Sequence, residues 1–187
     1  SSIEFSKVQK GQKAAVAGFG GLGNMAVKFL RHIGADVTVF DINENKRAEA
    51  EAMGIRFVNA RDAEAAEREK NSFDFLLSTV PGSYDPLFYV DMLKAGGQMA
   101  VVGQPAATDE ASISMMSLPV HQHRYVYGSL IGSLETQQEM IDFCVANDIY
   151  PDVELIPTTP EALDRVYDDL EHNREEFRYV MDMCTLK

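Results

Sequence analysis

Gly18-Phe19-Gly20-Gly21-Leu22-Gly23 follows the apolar run Ala14-Ala15-Val16-Ala17, opens a segment of helical periodicity, and precedes a second apolar run closed by Asp41. A strand that delivers the chain to a glycine turn and then a helix lets backbone approach a pyrophosphate closely. The helix then aims its first N–H groups at the negative charge. In this reading Gly18 permits the tight turn, Gly20 the close approach and Gly23 the contact between helix and strand. Asp41, 18 residues beyond Gly23, is placed to accept hydrogen bonds from an adenosine ribose. A carboxylate there repels a 2′-phosphate, which favours NAD over NADP. Lys46 and Arg47 nearby weigh slightly the other way, and Asp41 could also serve only to start a turn with Asn43.

Outward from this motif, short apolar runs alternate with amphipathic stretches. Strands are expected at residues 13–17, 37–40, 56–58, 73–79 and 98–102, with a sixth starting at 125–127. Helices are expected at 22–33, from Asn43 to about Met53, at 63–70 and at 87–93, the last followed by a Gly96-Gly97 turn. In the first helix Ala26, Phe29, Leu30 and Ile33 form one apolar face. Residues 106–120 read as a long connection with a short helix. Beyond Gly132 the chain reads as helix 135–146, strand 153–156, helix 160–171 and strand 177–183. Such alternation predicts an α/β fold, a doubly wound parallel six-stranded sheet of the Rossmann type. Ligands bind outside the carboxyl ends of such strands, where Asp41, Thr79 and Gly103 fall.

The chain has 187 residues, enough for one domain and part of a second, with hydrophobic residues at 45% and charged residues at 25%. The net charge of −12 argues against nucleic acid, which needs a basic surface, and no apolar stretch is long enough to span a membrane. There is no signal-peptide pattern at the start, and Cys144 and Cys184 stand apart, which suggests a reducing, cytoplasmic setting. Cys144, among apolar helix residues, is expected to be a buried structural thiol, and nothing marks Cys184 as a nucleophile. His121-x-His123 lacks a third ligand at useful spacing and reads as surface. No Tyr-x-x-x-Lys pair and no Gly-x-Ser-x-Gly elbow occurs. On its residues alone, the chain holds a dinucleotide and shows no acid, base or metal centre.

Several stretches together carry a more specific resemblance. They are Gly18 to Lys28, Ser78-Thr79-Val80-Pro81, Gly128-Ser129-Leu130-Ile131-Gly132-Ser133, Glu135-Thr136, Phe143-Cys144 and Phe177-Arg178-Tyr179-Val180-Met181-Asp182. With them the chain resembles the cofactor domain and C-terminal segment of a medium-chain, zinc-dependent alcohol dehydrogenase of the cinnamyl-alcohol-dehydrogenase-like branch. The resemblance implies that Gly18, Phe19, Gly20, Gly21, Leu22 and Gly23 hold the pyrophosphate, and that Asp41, Ile42 and Lys46 read the ribose. It implies that Thr79, Val80 and Gly103 touch the cofactor, that Ser129, Leu130 and Ile131 wall the nicotinamide, and that Arg178 approaches the pyrophosphate. It also implies a homodimer formed through the last strand of the sheet, near Tyr125.

Two departures from that family shape the expectation. The cinnamyl branch has small hydroxyl residues at the position of Asp41 and prefers NADP, whereas Asp41 resembles the NAD-using dehydrogenases. The cysteine and histidine ligands of the catalytic zinc, and the four-cysteine structural zinc site, do not occur in this sequence. Zinc is therefore expected only in a separate catalytic domain, and Ser1-Ser2-Ile3-Glu4-Phe5 resembles the linker that follows it. The expected organisation is a dinucleotide-binding domain over residues 1–148 and a segment, 149–187, that packs on the catalytic domain. A fragment of this kind binds NAD without turnover, for a parent enzyme acting on an alcohol or aldehyde, and carries no catalytic residue of its own. The rival expectation is a free-standing NAD-sensing or regulatory module.

Overall fold

The computed structural model describes residues 2–104, 117, 119–120, 123–172 and 178–186. A short helix α1 (Ser2–Ser6) leads into β1 (Lys13–Ala17), α2 (Gly21–Ile33) and β2 (Asp36–Asp41). A 3₁₀ turn at Glu44–Lys46 then leads to α3 (Arg47–Ala52), β3 (Arg56–Asn59), α4 (Ala63–Glu67), β4 (Phe73–Ser78), α5 (Pro86–Val90), β5 (Leu93–Val101) and β6 (Tyr125–Gly128). The chain continues through α6 (Leu134–Ala146), β7 (Glu154–Pro157), α7 (Pro160–Glu171) and β8 (Tyr179–Asp182). The first six strands form one sheet in the order β3-β2-β1-β4-β5-β6, every pair parallel. This is the doubly wound sheet expected from the alternation of elements.

Period-two alternation along buried strands builds the two cores. Ala14 and Val16 of β1 face a cluster with Val27 and Leu30 of α2, Ala50 of α3 and Val39 of β2. Ala15 and Ala17 face the opposite cluster, with Ala66 of α4, Tyr89 and Val90 of α5, Phe40 and Leu76. Each fully buried side chain of the size of Phe40 or Leu76 contributes about 1.5–3 kcal/mol by leaving water. The face that α2 buries is Gly23, Asn24, Ala26, Val27 and Leu30. Phe29, expected in that face, is half-buried and stacks on Phe143 of α6 with ring centroids 6.0 Å apart.

Four local expectations change. The helix expected at 87–93 ends at Val90, and Leu93 already pairs with Phe73 as the start of β5. Gly96-Gly97 is therefore not a turn before the strand but a bulge within it, after which Gln98 rejoins opposite Phe75. Gly96 takes φ +84°, and a Cβ at Gly97 would meet Lys94 O at 2.9 Å, so both places suit glycine. Asn43 does cap its helix, accepting from Asn45 N, but the first turn is 3₁₀ and the α-helix begins only at Arg47. The helix expected at 63–70 ends at Glu67, one turn after Asp62 caps it. Most of the connection expected at 106–120 lies outside the described residues.

Beyond β6 the packing changes. None of the α6 residues is buried, and Cys144 is half-buried rather than sealed in a core. The strands β7 and β8 form a separate parallel pair, Glu154 opposite Tyr179 through Pro157 opposite Asp182, joined by α7 as crossover. Leu155, Met181 and Tyr167 of this small unit remain exposed. Among the described residues no helix is long and apolar enough to cross a membrane.

Candidate functional site

A parallel sheet puts the carboxyl ends of all its strands on one edge. The order of this one places β1 beside β4, where consecutive connections diverge to opposite faces. The candidate residues follow those ends: Gly18–Gly23 after β1, Asp41 and Ile42 at β2, Thr79 and Val80 after β4, Gly103 after β5, and Ser129 to Ile131 after β6. Such a switch point is where doubly wound sheets take ligands.

The glycine turn is built by close backbone contacts. Gly18 adopts φ +87°, and its N–H donates to Phe40 O at 2.8 Å. A Cβ on Gly23 would stand 1.9 Å from Gly18 O, so the first turn of α2 rests directly on the turn before it. Gly20 caps the helix with extended backbone and no side-chain hydrogen bond, and nothing lies within 4 Å of where its Cβ would be. The first N–H groups of α2 are thus left without a capping side chain, the state in which a helix N-terminus receives an anion. Thr79 crosses the switch point, its N–H donating to Ala17 O at 2.8 Å. Its hydroxyl lies 3.0 Å from both Ala17 O and Gly18 O. A Cβ on Gly103 would lie 2.0 Å from Val80 O, so the β5 end packs flush against the β4 end.

Asp41 joins the turn. Its Oδ2 accepts the Phe19 N–H at 2.6 Å and its Oδ1 accepts the Asn43 N–H at 2.8 Å. The capping role is therefore real, but an ionised carboxylate offers about four acceptor positions and these bonds take two. The carboxylate remains half-exposed, with capacity for a ribose diol. Phe19 is 0% exposed, with its ring packed in the core beside α2, and it joins the site through the N–H that Asp41 accepts. Lys46 is held beside Glu49, Nζ to Oε2 3.5 Å. Arg47 turns toward β3: it pairs with Glu44, lies 3.7 Å from Glu51 and stacks 4.7 Å above the Phe57 ring.

Leu22, Ile42, Leu130 and Ile131 are exposed, the last at 92%, as uncovered walls at the strand ends. Ser129 is half-buried and donates its N–H to Val101 O at 3.0 Å. Arg178 stands apart, at the entrance to β8, where its carbonyl accepts from Glu154 N. Among the described residues no hydrogen bond or ion pair joins exposed Arg178 to the glycine turn, unlike Asp41 and Thr79. Of the two histidines read as surface, His121 lies outside the described residues, and His123 is exposed, its carbonyl accepting the Gly96 N–H. Among the described residues no three His, Cys, Asp or Glu side chains gather as a metal site.

Two contacts had no advance signal in the sequence. The Ser78 hydroxyl, fully buried under Thr79, lies 2.7 Å from the Tyr84 hydroxyl. Burial, and then the neighbouring Tyr84 and Asp41, push the Tyr89 phenol up, so it stays neutral beneath the site. The other is the contact of Asn24 with Asp152, from residues 128 positions apart. No periodicity or motif encodes a pair as distant as Asn24 and Asp152.

A family model described as zinc-binding dehydrogenase matches residues 21–146. The chain is 36% identical to the aldehyde reductase YahK of Escherichia coli, over 94% of this chain and 50% of that protein. It is 34% identical to the NADP-dependent alcohol dehydrogenase C 1 of Mycolicibacterium smegmatis, over 95% of this chain and 50% of that protein. A solved structure of a cinnamyl alcohol dehydrogenase from Helicobacter pylori, complexed with NADP(H), superposes with a TM-score of 0.86 at 40% identity. That superposition covers 98% of this chain and 51% of the other. The chain spans about half the length of the curated relatives it matches.

Proposed function

Because the chain belongs to the zinc-binding dehydrogenase family, we propose that it is the part of an alcohol dehydrogenase that binds the nicotinamide dinucleotide. The observation that carries the reading is the contact of Gly23 with Gly18 O, which leaves an uncapped helix N-terminus facing open space beside the Asp41 carboxylate. When bound, the dinucleotide supplies hydride transfer between an alcohol and its aldehyde. The chain's own residues bind and orient it. The N–H groups at the start of α2 receive the pyrophosphate, and Asp41 with Ile42 and Lys46 holds the adenosine end. Thr79, Val80 and Gly103 form the floor at the switch point, and Ser129, Leu130 and Ile131 form the wall beside the nicotinamide. Arg178 would reach the pyrophosphate from the small unit, its charge suiting that role. No described residues form a zinc ligand set, and no step through zinc is assigned to this chain.

NAD is the preferred cofactor in this reading, although relatives are named for NADP. Asp41 is anchored by two N–H groups, so its charge cannot swing aside from a 2′-phosphate. Of the two cations that could have offset that charge, Arg47 is committed to Glu44 and the Phe57 ring, and Lys46 is held beside Glu49. We further read residues 1–148 as the dinucleotide domain and 149–187 as a segment that packs on a catalytic domain, which suits the exposed Leu155 and Met181. Cys144 and Cys184 are both free, in keeping with a reducing cytoplasmic setting, and the acidic surface suits small-molecule rather than nucleic-acid partners.

Titration calorimetry tests the reading. The folded chain is expected to bind NADH with a dissociation constant between about 1 μM and 1 mM, and NADPH about tenfold more weakly. A chain with a folded circular-dichroism spectrum and no heat of binding at millimolar NADH overturns it.

Association is the second expectation. Among the described residues β6 pairs only with β5, and Tyr125 and Val126 on this edge are exposed. An open edge strand presents unpaired N–H and C=O groups that another strand can satisfy. Light scattering at micromolar concentration is expected to give twice the monomer mass, and a monomeric mass counts against a dimer formed along β6.

A further inference from the structure

Asn24 follows the glycine turn directly and is 1% exposed. Its Nδ2 donates to Asp152 Oδ2 at 2.9 Å, while its Oδ1, also buried, has no hydrogen-bond partner. The same Asp152 oxygen lies 2.8 Å from Lys28 Nζ, which also donates to Tyr150 O at 2.7 Å. Asn24 and Lys28 are four residues apart and share one side of α2. One carboxylate, on the segment between α6 and β7, thus grips two successive turns of the helix that opens the candidate site.

We propose that Asp152 is a positioning residue for dinucleotide binding, holding α2 in the register at which its first N–H groups meet the pyrophosphate. The inference rests on the dinucleotide reading given above. Its mechanical basis is the contact between Gly23 and Gly18 O, where a Cβ would find only 1.9 Å. With so little play there, any shift of α2 along or about its axis is felt at the glycine turn. Asp152 holds the helix at the very next residue, Asn24, and again at Lys28.

Asp152 also sets which way the Asn24 amide faces. The flipped amide would turn its oxygen toward a carboxylate, so the observed orientation is the one that Asp152 selects. The bond from Lys28, and then that from Asn24, hold the Asp152 carboxyl below its usual range, while burial pulls the other way. The carboxylate is therefore ionised at neutral pH. Lys28 neutralises it locally, so the grip places no unbalanced negative charge near an incoming phosphate. Elsewhere this junction is an open groove beside Lys28 and Tyr150, with Phe143 against Phe29 and His32 and with Ile149 buried as its apolar contacts. Apolar contacts resist separation but not sliding, and the polar grip supplies the directional part of the positioning.

Two variants separate the contributions. Asp152→Ala removes both bonds, whereas Asp152→Asn keeps an acceptor for Asn24 and loses the ion pair with Lys28. NADH dissociation constants are read by calorimetry at 20 °C, alongside thermal unfolding and amide hydrogen exchange. Asp152→Ala is expected to weaken NADH about tenfold and to speed exchange across residues 21–28. Asp152→Asn is expected to weaken NADH about threefold. A purely structural role would lower the unfolding temperature of folded Asp152→Ala while leaving its NADH affinity within about twofold of the parent, and that result overturns the proposal. If Asp152→Ala does not fold, Asp152→Asn decides by the same twofold criterion. Failure of the parent chain itself to bind NADH sinks the dinucleotide reading. Parent binding with unaffected variants sinks the positioning role alone.

Discussion

Gly23→Ala is expected to abolish measurable NADH binding, with a loss of at least about 100-fold, equivalent to about 2.7 kcal/mol. The added methyl would lie 1.9 Å from Gly18 O and 3.5 Å from Val16 Cγ1. The first of these is backbone, which no side-chain rotation can relieve. The helix must instead lift from the turn, and it takes with it the N–H groups that would receive the pyrophosphate. Overpacking of this kind costs about 1–3 kcal/mol of stability, which lowers the unfolding temperature by roughly 2–12 °C for a chain of this size. Gly20→Ala provides the contrast. With nothing within 4 Å of that Cβ and φ at −89°, the fold should tolerate it. Only ligand approach is crowded, so NADH affinity falls while the unfolding temperature holds. Calorimetry and thermal unfolding on the two variants check both halves. Gly23→Ala binding NADH like the parent would show that the turn is not the pyrophosphate site.

Asp41→Ser is expected to reverse the cofactor preference, moving the ratio of NADH to NADPH affinity by about 100-fold. Two effects add. The variant loses charge-assisted hydrogen bonds to the ribose diol, worth about 1.5–3 kcal/mol for NADH. It also removes a repulsion that, for unit charges about 4 Å apart at this half-exposed carboxylate, solvent reduces to about 1 kcal/mol and salt lowers further. Serine still offers an oxygen for one of the two N–H groups, from Phe19 and Asn43, so the loop retains part of its support. Fluorescence titrations with both cofactors, repeated at two salt concentrations, measure the ratio. An unchanged ratio would mean that Asp41 serves the turn alone.

Most of the first 128 residues could be read in advance because their signals are local. Continuous apolar runs such as Ala14 to Ala17 and Phe75 to Leu77 mark strands buried on both faces, and both faces are buried here. Glycine and capping residues mark the starts and ends of the helices between them. The readings failed where two signals compete. Gly96-Gly97 looks like a turn, but Leu93 on the near side finds a partner in Phe73, so the glycines become a bulge. Cys144 sits among apolar residues, but α6 has no core to enter in this chain.

The order of elements, the parallel sheet and the glycine turn at its centre follow from the residues alone, because neighbours a few positions apart signal each of them. How that turn is braced follows only from the folded arrangement. Asp41 reaches Phe19 across 22 positions, Thr79 reaches Gly18 across 61, and Asp152 reaches Asn24 across 128. Hydrophobic periodicity specifies which face of an element is buried, but not which distant polar group meets it there. That is set only when β4 docks beside β1 and the segment after α6 folds back onto α2. The glycines thus mark the turn that we propose receives the dinucleotide, and long-range hydrogen bonds brace that turn from three distant elements.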